Sequence, residues 1–127
     1  MPATTLQSAR TKKVLVIEDE GDMCLVLDLL LNSSTTEVDH VKSLGAAREY
    51  ISSASPELIV LDNRLPDGFG IDFIRFIKEK LPNARIIMMS GIDLAAKDLA
   101  LESGADSFLE KPFTKAQLMD SVNRLLN

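Results

Sequence analysis

Three carboxylates, a hydroxyl and an ammonium follow the ends of four separate apolar runs. Val14-Leu15-Val16-Ile17 leads into Glu18-Asp19, Leu58-Ile59-Val60-Leu61 into Asp62, and Ile86-Ile87-Met88-Met89 into Ser90; Ser107-Phe108-Leu109 reaches Lys111-Pro112 one residue later. If the runs lie side by side, all five groups meet at one edge. Carboxylates ~5 Å apart repel by about 3 kcal/mol per pair at an effective dielectric near 20. Mg2+ relieves that repulsion, because it is hard, wants oxygen ligands and tolerates carboxylates beside phosphate oxygens. With Lys111 added, the set suits a transferring phosphoryl group, which asks a protein mainly for positioning and charge neutralisation. Asp62 stands alone at its strand end and can be the nucleophile, since aspartate forms acyl phosphates. Ser90 can donate to a phosphate oxygen.

Short apolar runs of this kind read as buried strands of a parallel sheet. From Lys12 onward, strand and helix patterns alternate five times, which predicts one doubly wound α/β domain over residues 12–127. Residues 1–11 are polar or small without periodicity and read as a flexible tail. Strands are predicted at about 13–18, 37–41, 57–61, 85–89 and 106–109. Helices are predicted at about 21–32, 44–53, 70–81, 93–102 and 114–126. Pro66-Asp67-Gly68 marks a turn in the loop 63–70, with Pro fixing φ and Gly tolerating positive φ. The third helix carries Ile71, Ile74, Ile77 and Leu81 on one face and ends before Pro82. Asp93 reads as the fourth helix's N-cap and Gly104 as the residue just past its end. Thr114 with Gln117 fits a capping box, and Leu118, Val122, Leu125 and Leu126 recur at helical spacing.

Runs one, three and four are almost wholly apolar, whereas runs two and five (Glu37–Val41 and Ala105–Leu109) carry polar residues. Central strands of a parallel sheet are covered on both faces and edge strands are not. The order 2-1-3-4-5, a flavodoxin-like (βα)5 sheet, puts the poorer runs at the edges. It also sets strands one and three at the topological switch point, where the ligand crevice of such sheets lies.

The totals narrow the function classes. The chain's 127 residues fit one domain with a real core. No apolar run approaches the ~20 residues of a membrane span, and the N-terminus lacks the basic region and apolar block of a signal peptide. The lone Cys24 excludes an internal disulfide and cysteine-held zinc, and fits a reducing compartment. A net charge of −5 argues against gripping a nucleic-acid backbone, which needs a basic patch.

The chain resembles the receiver domain of bacterial two-component response regulators over residues 12–127. The motifs that carry the likeness are Val-Leu-Val-Ile-Glu18-Asp19-Glu20, Leu61-Asp62-Asn-Arg-Leu-Pro66-Asp67-Gly68, Met-Met-Ser90-Gly91, Gly104-Ala105-Asp106 and Lys111-Pro112-Phe113. The resemblance implies that Asp62 accepts a phosphoryl group from a phosphohistidine on a sensor histidine kinase or a histidine phosphotransfer protein. It implies Mg2+ held by Asp19 and Asp62, by Glu18 through water, and by the backbone carbonyl of Arg64. Lys111 would pair with the phosphate, on a bond to Pro112 that is often cis in the family. Ser90 and Phe108 would be the switch pair, and helix four, strand five and helix five the readout face, with homodimerisation through it. The likeness implies a cytoplasmic signalling module, with no direct contact to nucleic acid or membrane, that contributes chemistry only to its own phosphorylation and dephosphorylation. Glu18 stands where Asp is frequent, Gly91 where Ala is usual, and Phe108 where Tyr is common. Arg64, long and cationic, is expected to overhang the phosphoryl group and change its hydrolysis rate.

Other readings are weaker. A haloacid dehalogenase-like phosphatase has Asp-x-Asp at strand one, whereas Asp62 is followed two residues on by Arg64, and the chain has no cap domain. A flavodoxin-like FMN protein wants a phosphate loop where Glu18-Asp19-Glu20 would repel phosphate. A pseudo-receiver, a phosphorylation-independent interaction domain, would not need Asp19, Asp62, Ser90 and Lys111. Cys24 reads as a packing residue, His40 as plain surface and Met88-Met89 as core. The first helix, with Met23, Leu25, Val26, Leu27, Leu29, Leu30 and Leu31, is either well buried or exposes a partner site.

Overall fold

The computed structural model describes residues 11–91 and 94–126. Apart from Thr11, the expected tail lies outside the described residues, as does the expected cap Asp93. Five parallel strands form the sheet: β1 (Lys12–Ile17), β2 (Thr36–Val41), β3 (Leu58–Asp62), β4 (Arg85–Ser90) and β5 (Ser107–Glu110). Their order is β2-β1-β3-β4-β5, the order expected, with the two more polar strands at the edges. In register, Ile17 lies between Val41 and Leu61, Asp62 beside Met89, and Ser90 beside Glu110. The polar residues that end the apolar runs therefore arrive at one edge.

Period-two alternation divides the strands between two cores. Leu15, Ile17, Ile59, Leu61, Ile86 and Met88 point to one face, under Ala47 and Ile51 of α2 (Leu44–Ser53), Ile74 and Ile77 of α3 (Ile74–Lys80) and Ala100 of α4 (Leu94–Ser103). Val14, Val16, Leu58, Val60, Ile87 and Met89 point to the other, under Leu27 and Leu31 of α1 (Gly21–Leu31) and Leu118 and Val122 of α5 (Lys115–Leu126). Met88 and Met89 are core, on opposite faces.

The helix ends follow local chemistry. The Thr114–Gln117 capping box forms: the Gln117 N–H donates to Thr114 Oγ1 at 3.1 Å and the Thr114 N–H to Gln117 Oε1 at 2.8 Å. Ser43 Oγ accepts from the Ala46 N–H at the start of α2. Gly104 closes α4 at φ +121, and Gly68 takes φ +151 in the Pro66-Asp67-Gly68 turn.

Two sequence expectations need correction. The third helix is not α-helical from residue 70: Gly70–Phe73 is a 3-10 turn, and α3 begins at Ile74. Its first N–H groups bond back to Asn63 instead of awaiting helical partners. Over residues 70–81, Gly70, Phe73, Ile74 and Ile77 are buried, while Ile71 and Leu81 are half-buried. The loop 63–70 is itself ordered as a small antiparallel hairpin, Arg64–Leu65 against Gly68–Phe69. His40 is not plain surface either. It is half-buried, with Nε2 3.6 Å from Asp28 of α1, and its buried Nδ1 has no hydrogen-bond partner.

Candidate functional site

The edge where β1, β3, β4 and β5 end carries a cleft of about 510 Å3, lined by Glu18, Asp19, Glu20, Asp62, Arg64, Ser90, Gly91 and Lys111. Each residue arrives for a local reason. Glu18 and Asp62 sit at strand ends whose preceding residues are fully buried, so their main chains are fixed by the core. Lys111 follows β5, its N–H donates to the Ser90 carbonyl at 2.7 Å, and its bond to Pro112 is cis. That hydrogen bond ties the ammonium-bearing segment to the hydroxyl-bearing strand.

Lys111 Nζ donates to Asp62 Oδ1 at 2.9 Å and to Glu18 Oε1 at 3.1 Å. Glu18 is 1% exposed and Asp62 6% exposed, so this one cation is shared by two carboxylates that water barely reaches and offsets only part of their charge. The second oxygen of Glu18 accepts the Glu20 N–H at 3.1 Å. Burial holds the Glu18 carboxyl above its usual range, opposed by the Glu20 N–H and Lys111. Burial alone would pull the Lys111 ammonium down; its bonds to Asp62 and Glu18 outweigh that and hold it above its usual value. Cys24 donates its S–H to the Glu18 carbonyl at 3.2 Å, and burial pushes its thiol up, which makes it a packing residue and a poor nucleophile.

Glu18, Asp19 and Asp62 each offer a carboxylate oxygen, and these atoms lie within 4.8 Å of one another. Asp19 is exposed. An all-oxygen set with one open-sided member suits a hard cation that keeps part of its water shell. Among the described residues, four acidic side chains line the cleft against two basic ones, an excess of negative charge that favours a divalent cation.

The structure thus gathers Glu18, Asp19, Asp62, Arg64, Ser90 and Lys111 in one cleft. Phe108 lies apart from it, half-buried against the core beside Met88 in register. It lines a second groove of about 420 Å3 across β5, with Lys97, Glu110, Gln117, Asp120 and Arg124.

Two residues beside the site escaped the sequence reading. Gly70 approaches the main chain of Asp62 so closely that a Cβ would stand 2.3 Å from the Asp62 carbonyl oxygen and 2.9 Å from Leu61 Cγ. Asn63 bonds through its main chain and side chain to three partners. The available signals were a glycine opening a predicted helix, where it is a poor helix former, and an Asn just past a strand end, where Asx turns form.

A sequence profile described as the response regulator receiver domain matches residues 14–123. Among curated proteins, the chain is 28% identical over 117 residues to the chemotaxis protein CheY of Bacillus subtilis, covering 91% of this chain and 98% of that one. It is 30% identical over 114 residues to the response regulator protein PilR of Pseudomonas aeruginosa, covering 87% of this chain but only 25% of PilR. Among solved structures, a two-component response regulator from Clostridium difficile superposes with a TM-score of 0.85 at 27% identity, covering 91% of this chain and 96% of that one.

Proposed function

The chain belongs to the response regulator receiver family, and from that premise we propose that Asp62 accepts a phosphoryl group in a Mg2+-dependent reaction. The observation that carries this reading is the buried Glu18–Lys111–Asp62 array beside exposed Asp19. The Asp62 carboxylate attacks phosphorus, the bond from phosphorus to the donor's imidazole nitrogen breaks, and that nitrogen leaves with the electron pair. Asp19, Asp62 and the Arg64 carbonyl would hold Mg2+ directly and Glu18 through water; the ion supplies charge neutralisation for the phosphoryl oxygens when bound. Lys111 stays at Asp62 and pairs with a phosphoryl oxygen, and Ser90 donates to another. Ser90 and Phe108 are the switch pair, joined by a continuous path: Ser90 and Met88 share β4, and Met88 lies beside Phe108.

The donor is a phosphohistidine on a sensor kinase or phosphotransfer protein. Its docking surface is α1, which begins three residues after Glu18 and exposes Leu25, Val26 and Leu29. The groove across β5, lined by charges of both signs, is the output face, through which phosphorylated copies pair.

The test is intact mass after incubation with acetyl phosphate, with and without Mg2+, and with Asp62→Ala as control. A gain of one phosphoryl group that needs both Mg2+ and Asp62 supports the reading. No gain and no Mg2+ binding would make the domain a phosphorylation-independent interaction module.

A further inference from the structure

We propose that Asn63 is a positioning residue for the metal-binding loop, with Asp67 as the loop's second anchor. The inference rests on the Mg2+-dependent reading above. Arg64, whose main-chain carbonyl that reading assigns to the cation, sits between these two residues in a hairpin two residues wide. So short a hairpin has almost no stability of its own. Its conformation is set by what fastens it.

Asn63 fastens the near end three times. Its N–H donates to the Met89 carbonyl at 3.0 Å, extending the β3–β4 ladder one residue past Asp62. Its carbonyl accepts the Gly70 N–H at 2.7 Å, closing the hairpin's base. Its side-chain Oδ1 accepts the Ile71 N–H at 3.0 Å, which joins that base to the 3-10 turn. Asp67 fastens the far end: Oδ1 accepts the Leu44 N–H and Oδ2 the Gly45 N–H, both at 2.9 Å, at the first turn of α2. The carbonyl of Arg64 therefore belongs to a segment held at both ends to elements that the cores fix. Among the described residues, only the Oδ1 bond of Asn63 and the two bonds of Asp67 depend on side chains, so substitution can cut the near and the far anchor separately.

Partners one step behind a metal's ligands typically change affinity about tenfold or more. Asn63→Ala is expected to raise the calorimetric Kd for Mg2+ roughly tenfold. The Mg2+ concentration for half-maximal phosphoryl uptake from acetyl phosphate rises with it, while the rate at saturating Mg2+ stays within about twofold. Amide exchange at Ile71 accelerates. Asn63→Asp, which keeps an acceptor for Ile71, binds Mg2+ at least as tightly as the parent. Asp67→Ala, whose side chain the cation does not touch, weakens binding in the same direction and serves as the reading if Asn63→Ala does not fold. An Asn63→Ala or Asp67→Ala protein that melts earlier but binds Mg2+ like the parent overturns the proposal, as does an Asn63→Asp protein as weak as Asn63→Ala. A parent that neither binds Mg2+ nor takes a phosphoryl group overturns the functional reading and this inference with it. A parent that does both, with unaffected variants, overturns this inference alone.

Discussion

At the scale of single residues, the site is governed by one cation between two buried acids. Lys111→Ala leaves Glu18 and Asp62 facing each other with no cation between them. The Lys111 side chain is 26% exposed, so the loss should fall between the ~1 kcal/mol of a surface pair and the ~3 kcal/mol of a fully buried one. Added Mg2+ should restore more of the melting temperature in Lys111→Ala than it adds to the parent, because it supplies the missing charge. Thermal melts across a Mg2+ series check this; equal increments in both proteins would count against it. Arg64 is exposed and lines the cleft. On the phosphoacceptor reading proposed above, its length would let it cover the phosphoryl group and keep water off. Arg64→Ala should shorten the phosphoryl half-life several-fold, read by intact mass after the donor is removed, and an unchanged half-life would sink that idea.

At the scale of elements, what was legible in the sequence was whatever an apolar pattern encodes. Strand positions and the meeting of Glu18, Asp19, Asp62, Ser90 and Lys111 follow from where hydrophobic runs stop; run polarity marked the two edge strands, and the full order came with the family resemblance. The Thr114–Gln117 box was legible because two side chains at fixed spacing satisfy each other. The hairpin after β3 was not, because two-residue strands have no periodicity and their closure depends on main-chain bonds to Asn63 and Gly70. His40 was misread because a single polar residue on an edge strand does not reveal that α1 lies over it. The same hairpin yields a pH dependence. The N–H groups of Leu44 and Gly45 hold the Asp67 carboxyl below the usual aspartate range. A depressed folded-state value means that the bonds contribute fully above the ordinary aspartate pKa, and that the contribution is lost as pH falls through the depressed value. Asp67→Asn should therefore be less stable at neutral pH and flatter through the acid limb, as urea melts over a pH series will show. An acid limb as steep as the parent's would contradict it.

At the scale of the whole molecule, the two cores explain why one helix can carry an apolar surface without harm to the fold. On α1, Leu27 and Leu31 do the packing, whereas Leu29 is 72% exposed and Leu25 59% exposed. Leu25→Ser with Leu29→Ser should change stability by no more than about 1 kcal/mol, at ~0.5 kcal/mol for each surface position. The same pair should slow phosphotransfer from a histidine-phosphorylated partner protein while leaving the reaction with acetyl phosphate intact. Stopped-flow transfer beside the acetyl phosphate assay separates the two, and equal slowing of both would place the defect in the site. The close approach at Gly70 also has a genetic reading. Every missense change one base away from a glycine codon installs a residue with a Cβ, so none escapes the collision with the Asp62 oxygen. In a library scored for soluble folded protein, position 70 should tolerate no replacement. Positions 21 and 91, where an added Cβ meets nothing within 4 Å, should tolerate many. The residue packed against the Asp62 main chain would thus stay glycine through selection for folding alone, before any selection for signalling acts on it.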